Sequence, residues 1–302
     1  AIEGLKEVIQ ALKAAGHTIL IAEHRLYYLI EICDRVVYMA DGSIKGSYTR
    51  DEFVTIRDSE RQEMGLRAVQ EPRLAEAQPE VNKPDTGAAA PVLEIEALKC
   101  YRNRQLTVDI ERIRLPKHRV IALVGHNGAG KSTFAAGFCG TMRSTANIKD
   151  GASLSRRERL KRAYMVMQDV NHQLFAESVL DELMIGNDID DTEKVAAADA
   201  LLDSLNLLPY RDEHPHALSG GQKQRTSIAT ALFTDKRYLI FDEPTSGVDL
   251  VHMQQIGHLI QSIKEQVDLI IVITHDIEFI NSCCDELIRL ENGRIVEQVA
   301  LN

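Results

Sequence analysis

Apolar positions recur along this chain in two rhythms. Near the beginning, Leu5, Ile9 and Leu12 stand three or four residues apart, the spacing of one face of a helix. A short branched run, Ile19–Ile21, then reads as a buried strand that ends at His24. A second helix should follow, and then a hairpin turning at Asp41-Gly42. The same succession closes the chain: Ile256, Ile260 and Ile263, the run Leu269–Ile273 ending at His275, a helix, and a hairpin at Asn292-Gly293. Val120–Val124 and Tyr238–Phe241 read as two further buried strands, and Gln224–Phe233 as a helix. No uninterrupted apolar run exceeds five residues, whereas a membrane-spanning helix needs about 20.

The two ends are copies of one another. Shifted by 251 positions, residues 5–46 fall on 256–297 without a gap. His24 falls on His275, Cys33-Asp34 on Cys284-Asp285, and Gly42 on Gly293. Internal repetition at this level marks a duplicated structural unit. Residues 1–56 are therefore expected to be the carboxyl-terminal part of a first domain, and 92–302 a complete second one. By the offset Ala1 corresponds to His252, so the rest of the first domain would lie upstream and the chain would be a fragment. Residues 57–91 are expected to be a linker, punctuated by Pro72, Pro79, Pro84 and Pro91 and by Gly87–Ala90, with a helix able to form over Asp58–Val69.

Composition is that of an ordinary globular protein, 44% hydrophobic and 26% charged over 302 residues. Thirty-five basic against 45 acidic residues leave a net charge of −10, which argues against non-specific nucleic-acid binding. The five cysteines lack CxxC spacing and read as reduced thiols.

The chemistry lies in the second copy. Directly after the strand Val120–Val124 comes Gly125-His-Asn-Gly-Ala-Gly-Lys131-Ser132, a match to GxxxxGK[ST]. Its glycines let backbone N–H groups face phosphates, and the helix that follows adds the positive end of its dipole. Lys131 would reach the β- and γ-phosphates, and Ser132 would ligate Mg²⁺. The strand Tyr238–Phe241 runs into Asp242-Glu243, adjacent carboxylates with no packing motive. Asp242 would hold the metal, and Glu243 would act as general base on water. Ser219-Gly220-Gly221-Gln222 opens a helix and offers a second anion site.

Together these motifs resemble the ATP-binding cassette (ABC) ATPases over about residues 92–302. Gly125–Ser132 is similar to the Walker A loop, Asp242-Glu243 to the end of Walker B, and Leu218–Gln222 to the signature motif. Gln168 matches the Q-loop glutamine, Asp249 the D-loop aspartate, and His275 the switch histidine. Tyr101 stands where the family places an aromatic that stacks on adenine, and His24 matches the switch position in the first copy. The resemblance implies an α/β P-loop NTPase fold: a RecA-like core, an N-terminal antiparallel β subdomain and a helical signature subdomain. It implies ATP and Mg²⁺ as ligands. Tyr101, Asn127, Gly128, Gly130, Lys131, Ser132 and Thr133 would bind nucleotide, and Ser132, Gln168 and Asp242 would hold Mg²⁺. Glu243, His275 and Gln168 would serve catalysis, while Ser219–Gln222 would close over ATP held by a paired cassette. That partner would be the first cassette or a second copy of this one.

Gln168–Phe175, with its His172-Gln173-Leu174-Phe175, further resembles the energy-coupling-factor (ECF) importers of cobalt, nickel and vitamins. Ile21–Leu29 resembles their fused twin-cassette variant. The resemblance implies a membrane subunit docked near Gln168–Phe175, a peripheral place at the cytoplasmic face of the membrane, and no nucleic-acid partner. Sugar importers and ribosome-acting proteins with twin cassettes are the alternatives. The intact second Walker A loop disfavours the former, and the short, mixed-charge linker disfavours the latter. Two stretches depart from the family: Thr141–Ser155 lacks the usual Gly-rich hairpin, and Gly247-Val248 varies at the D-loop. Asp188–Glu193 reads as a solvated loop with a helix starting at Asp191 or Thr192, and Cys283-Cys284 as a helical pair with one member in the core.

Overall fold

The computed structural model describes residues 2–40, 42–75 and 92–301. The chain divides into two compact units. One holds the residues up to Arg73 with Gly247–Met253, and the other holds Leu74–Ser246 with Gln254 onward.

The first unit opens with helix α1 (Ile2–Ala14), followed by the hairpin β1 (Arg35–Ala40) and β2 (Ser43–Thr49), then α2 (Arg50–Val54) and α3 (Asp58–Glu63). A small core gathers Ile30, Phe53 and Val69 with Leu26, Val36, Tyr48, Ile56 and Leu66 around them. Much of the expected linker is thus folded: 57–73 lies inside this unit, and 76–91, with Pro79, Pro84, Gly87–Ala90 and Pro91, lies outside the described residues. The helix expected over Asp58–Val69 stops at Glu63, because Gly65 takes φ +72° and its N–H turns back to the Gln62 carbonyl.

Two other expectations for this unit do not hold. Ile19–Ile21 forms no strand, and Tyr27–Ile32 forms turns rather than a helix. The counterpart of the first, the strand Leu269–Ile273, is hydrogen-bonded on both sides. No such neighbours exist for Ile19–Ile21 among the described residues of its unit, and an unpaired apolar strand has nothing to satisfy its backbone.

The hairpin reproduces its counterpart closely. β1 and β2 pair from Arg35↔Thr49 with a register shift at Tyr38/Met39. Near the chain end, β12 (Glu286–Glu291) and β13 (Arg294–Ala300) pair from Glu286↔Ala300 with the shift at Arg289/Leu290. Each position is the earlier one plus 251. Lys13 Nζ bonds Asp34 at 2.6 Å, and Lys264 Nζ bonds Asp285 at 2.9 Å, the same pair again.

The second unit begins with β3 (Val92–Arg102), β4 (Gln105–Ile110) and β5 (Ile113–Pro116). Then come β6 (Val120–Val124), α4 (Lys131–Cys139), β7 (Ser144–Asp150) and β8 (Ala152–Ser153). α5 (Arg156–Arg162), β9 (Ala163–Val166), α6 (Val179–Leu183), α7 (Thr192–Ser204) and α8 (Gly220–Phe233) form the middle. β10 (Tyr238–Asp242), α9 (Leu250–Ile263), whose residues up to Met253 belong to the first unit, β11 (Leu269–Ile273) and α10 (Ile277–Cys283) precede the last hairpin. One sheet has the order β13-β12-β6-β11-β10-β9, parallel except for its outer hairpin strand β13. A second, antiparallel sheet has the order β4-β3-β7-β8, with β5 also on β3.

Every residue of β6, β10 and β11 is buried, as continuous apolar runs require in a sheet covered on both faces. Phe134 and Phe138 of α4 fill the space between the sheets with Leu93, Leu98, Ile121 and Leu290. α8 begins at Gly220, four residues before the expected Gln224, because Ser219 caps it. Thr141–Ser155, which lacks the family's Gly-rich hairpin in sequence, still forms a short hairpin, β7 turning at Gly151 (φ +70°) into β8. α7 starts at Thr192 with Asp191 as its cap, and Cys283 is buried while Cys284 is half-buried, both as expected; but only Cys283 is helical, since Cys284 caps the helix in extended backbone.

Candidate nucleotide site at the carboxyl ends of the parallel strands

β6, β10 and β11 run parallel, and each ends in chemistry. β6 leads into the loop at Gly125, whose φ is +152°. A Cβ there would stand 2.1 Å from the Leu290 carbonyl oxygen, so the loop starts pressed against β12. Gly130, at φ +104°, starts α4 without a side-chain cap. The first-turn N–H groups of α4 therefore await an acceptor.

Lys131 is buried. Its ammonium donates to the carbonyls of Gly125 at 2.7 Å and His126 at 3.2 Å, and it lies 3.2 Å from Nε2 of His275. An ammonium only donates, so a hydrogen bond here would use the lone pair of Nε2, with the ring proton on Nδ1. Burial lowers the Lys131 pKa, against the pull of Glu243 and Asp242. Asp242, the last residue of β10, is buried too. Burial raises its carboxyl's pKa, opposed by a hydrogen bond from Ser132 and by the charge of Lys131.

Glu243 lies one residue beyond β10 at φ +52°, left-handed backbone that is unfavourable for a side chain. It is held there by its own N–H on the Ile273 carbonyl at 2.8 Å. Thr274 Oγ1 donates to Glu243 Oε2 at 3.2 Å, and His275 Nε2 is 3.8 Å from Glu243 Oε1. Two strand ends thus meet at one pair of side chains. Asp276, just beyond, accepts from Thr245 at 2.9 Å and caps α10 through Phe279 N–H. Thr245, Thr274 and Asp276 were not singled out from the sequence; the signal was an Asp opening a helix, a common cap.

Lys131, Ser132, Asp242, Glu243 and His275 therefore form one cluster. Thr133 is buried in α4, and Asn127 and Gly128 are exposed on the loop. Tyr101, 49% exposed, sits near the end of β3 opposite Leu106, outside the cluster's hydrogen bonds. Gln168 is exposed just past β9. Ser219 and Gln222 cap each other: Gln222 N–H donates to Ser219 Oγ at 3.4 Å, and Ser219 N–H to Gln222 Oε1 at 2.8 Å. In the first unit, Asp249 accepts two bonds from His252, each 2.8 Å. Burial works to raise its pKa, but these bonds and the His252 charge, with a lesser part from His24, hold it at about 2. His24 itself is exposed.

A Gly-rich loop between a parallel strand and a helix, with a buried lysine and two acids at the neighbouring strand's end, defines a P-loop nucleotide-binding domain. Residues 109–246 match the ABC transporter family. The chain is 39% identical over 311 residues to an ABC transporter ATP-binding protein of Treponema denticola, covering 99% of this chain and 61% of the relative. It is 34% identical over 218 residues to YkoD of Bacillus subtilis, an ATP-binding protein named for HMP/thiamine import, covering 70% of this chain and 40% of the relative. Among solved structures it resembles CbiO1 of Clostridium perfringens, part of the ABC transporter complex CbiONQ. That match has a TM-score of 0.60 and 28% identity, over 70% of this chain and 89% of the other. Through this cassette the chain belongs to the ABC transporter family of ATP-binding proteins. It spans about three fifths of the length of the Treponema relative.

Proposed function

We propose that the chain is part of an ATP-hydrolysing subunit that powers import through an ECF-type membrane complex. The observation that carries the ATPase reading is the cluster of Lys131, Ser132, Asp242, Glu243 and His275 at the ends of three parallel strands. Lys131 would exchange its loop carbonyls for phosphate oxygens, recovering in the anion what burial costs its charge. The donor set suits Mg²⁺: a buried carboxylate beside a hydroxyl gains from a hard cation, and Asp242 with Ser132 would hold it. When bound, the ion supplies charge neutralisation at the phosphates. Glu243 would accept the proton of the attacking water, kept in place by Thr274. His275 would donate a ring N–H to an oxygen of the γ-phosphate. Gln168 would approach the metal, Tyr101 would stack on the base, and Asn127, Gly128, Gly130 and Thr133 would complete the phosphate cradle. Ser219–Gln222 and Asp249 would act across a paired cassette.

The import reading draws on His172–Phe175 and on the relatives named for thiamine import and for CbiONQ. A membrane subunit would dock near Gln168–Phe175. Among the described residues no helix is long and apolar enough to cross a membrane, which agrees with a peripheral place beside such a subunit.

The paired cassette would be one to which the first unit belongs, with His24 as its switch histidine. Exposure of that unit's apolar residues supports this. Leu20 is 94% and Met39 60% exposed, whereas their counterparts Ile271 and Leu290 are 2% and 0% exposed. Ile271 and Leu290 pack in the sheet and its core, whereas among the described residues of the first unit no strand or core covers Leu20 and Met39.

The direct test is Glu243→Gln. Binding of a fluorescent ATP analogue should persist while steady-state hydrolysis falls by about a hundredfold or more, the scale of a lost general base. Hydrolysis at the unsubstituted rate would remove Glu243 from the chemistry. Failure of the unsubstituted chain to bind the analogue would overturn the nucleotide reading itself.

A further inference from the structure

Among the described residues β9 is the outermost strand of the parallel sheet and pairs only with β10. An open edge leaves backbone groups that something must satisfy. Here a side chain does so. The Gln173 amide donates from Nε2 to the Met165 carbonyl at 2.6 Å and accepts the Met167 N–H on Oε1, also at 2.6 Å. One primary amide thus stands in for a strand residue along the last stretch of β9, and Gln168 is the next residue.

Gln173 is itself held firmly. It closes a single turn, Val170–His172, capped by Asp169, with Val170 and Leu174 buried on either side. Beyond it, the N–H groups of Phe175 and Ala176 both donate to the buried carboxylate of Glu182, each at 2.9 Å. The loop from Met167 to Ala176 is therefore clasped at one end to the sheet and at the other to α6.

We infer that Gln173 is the positioning residue for Gln168. By fixing the backbone of Met165 and Met167, it sets where the Gln168 side chain leaves the sheet edge and so whether it meets the metal–nucleotide site. This rests on the role given to Gln168 in the proposed function. Only an amide supplies both bonds. A glutamate would keep the acceptor for Met167 N–H but set an anion against the Met165 carbonyl, and a methionine would supply neither.

The test is a double-mutant cycle of Gln173→Met and Gln168→Ala in the full chain, with two readouts. The first is amide hydrogen exchange without nucleotide. Gln173→Met should raise exchange at Met167 by about tenfold or more and leave β6 and β11 protected. The second is ATP hydrolysis against Mg²⁺ concentration. Gln173→Met should raise half-saturating Mg²⁺ by about five- to tenfold and lower kcat, with Mg²⁺-free ATP affinity within about twofold of the unsubstituted chain. In the Gln168→Ala background it should add less than about twofold, because both changes act through one side chain. Should Gln173→Met fail to fold, Gln173→Leu, which likewise supplies neither bond, takes its place with the same expectations.

Multiplicative effects of the two substitutions would overturn the inference, and so would unchanged exchange at Met167. A uniform loss of protection would also overturn it, marking Gln173 as a general structural residue. If the unsubstituted chain fails to bind ATP, the proposed function falls and the role of Gln168 with it. The clasp itself is read separately by the exchange measurement.

Discussion

At the scale of single residues, the site concentrates groups that are uncomfortable without a ligand. Lys131 is buried with its charge resting on two loop carbonyls, and Asp242 is buried with a pKa raised by that burial. Glu243 occupies left-handed backbone that an unconstrained side chain would leave. Such discomfort is typical of sites shaped for a partner that brings opposite charge. Replacing Lys131 by Ala should weaken ATP binding by about ten- to a hundredfold, the worth of one or two charge-assisted hydrogen bonds. Isothermal titration at fixed Mg²⁺ measures this, and unchanged affinity would exclude Lys131 from phosphate contact. Gly125→Ala is expected to disrupt the loop, because the new methyl would meet the Leu290 carbonyl at 2.1 Å, and backbone cannot step aside as a flexible side chain can. Loss of nucleotide binding with a lowered Tm is the expected result.

At the scale of elements, caps decide where helices begin. α5 and α8 both start with complete capping boxes, Ser155 with Glu158 and Ser219 with Gln222. α5 in turn closes the far end of α4: Arg159 donates to the carbonyls of Gly137 and Phe138, and Arg156 to that of Gly140. The helix that offers its amino end to phosphate thus has its carboxyl end satisfied by buried arginine. Ser155→Ala should cost about 1 kcal/mol, the usual value of such a cap, visible in urea denaturation. Nucleotide affinity should change little, since Ser155 lies at the opposite end of α4 from the loop.

At the scale of the second unit, one buried carboxylate ties together the amino ends of the strands. Asp150 meets Lys117 and Arg162, accepts from Tyr238 at 2.7 Å, and lies 3.9 Å from Arg237. Burial works to raise its pKa, but Lys117 and Tyr238 bonded to it, with the charges of Lys117 and Arg237, hold it below the usual carboxylate range. Its folded pKa is depressed, so its contribution is present above the ordinary Asp value near 4 and fades as the pH falls through the folded value. Asp150→Asn should therefore cost about 3–5 kcal/mol at pH 7, the scale of a broken buried ion pair, and less at pH 3. Tm measured for both proteins at the two pH values checks this; an equal cost at both would contradict the ionic account.

What is local and periodic could be read from the order of residues alone. The glycines and lysine after an apolar strand, the acids that end another, the Ser219 helix start and the recurrence of residues 5–46 at 256–297 were all legible, because each is a pattern with its own physical motive. The paired register shifts of the two hairpins follow from the same repetition. Tertiary structure decided whatever depends on neighbours. Ile19–Ile21 carries the same pattern as Ile270–Val272, yet only the latter is a strand, because a strand exists through the strands beside it. Gln173 bears no local sign of its bond to β9, nor Thr274 of its bond to Glu243. Those partners lie at the edge of a sheet or across two strands. The fold, not the spacing along the chain, brings them within reach.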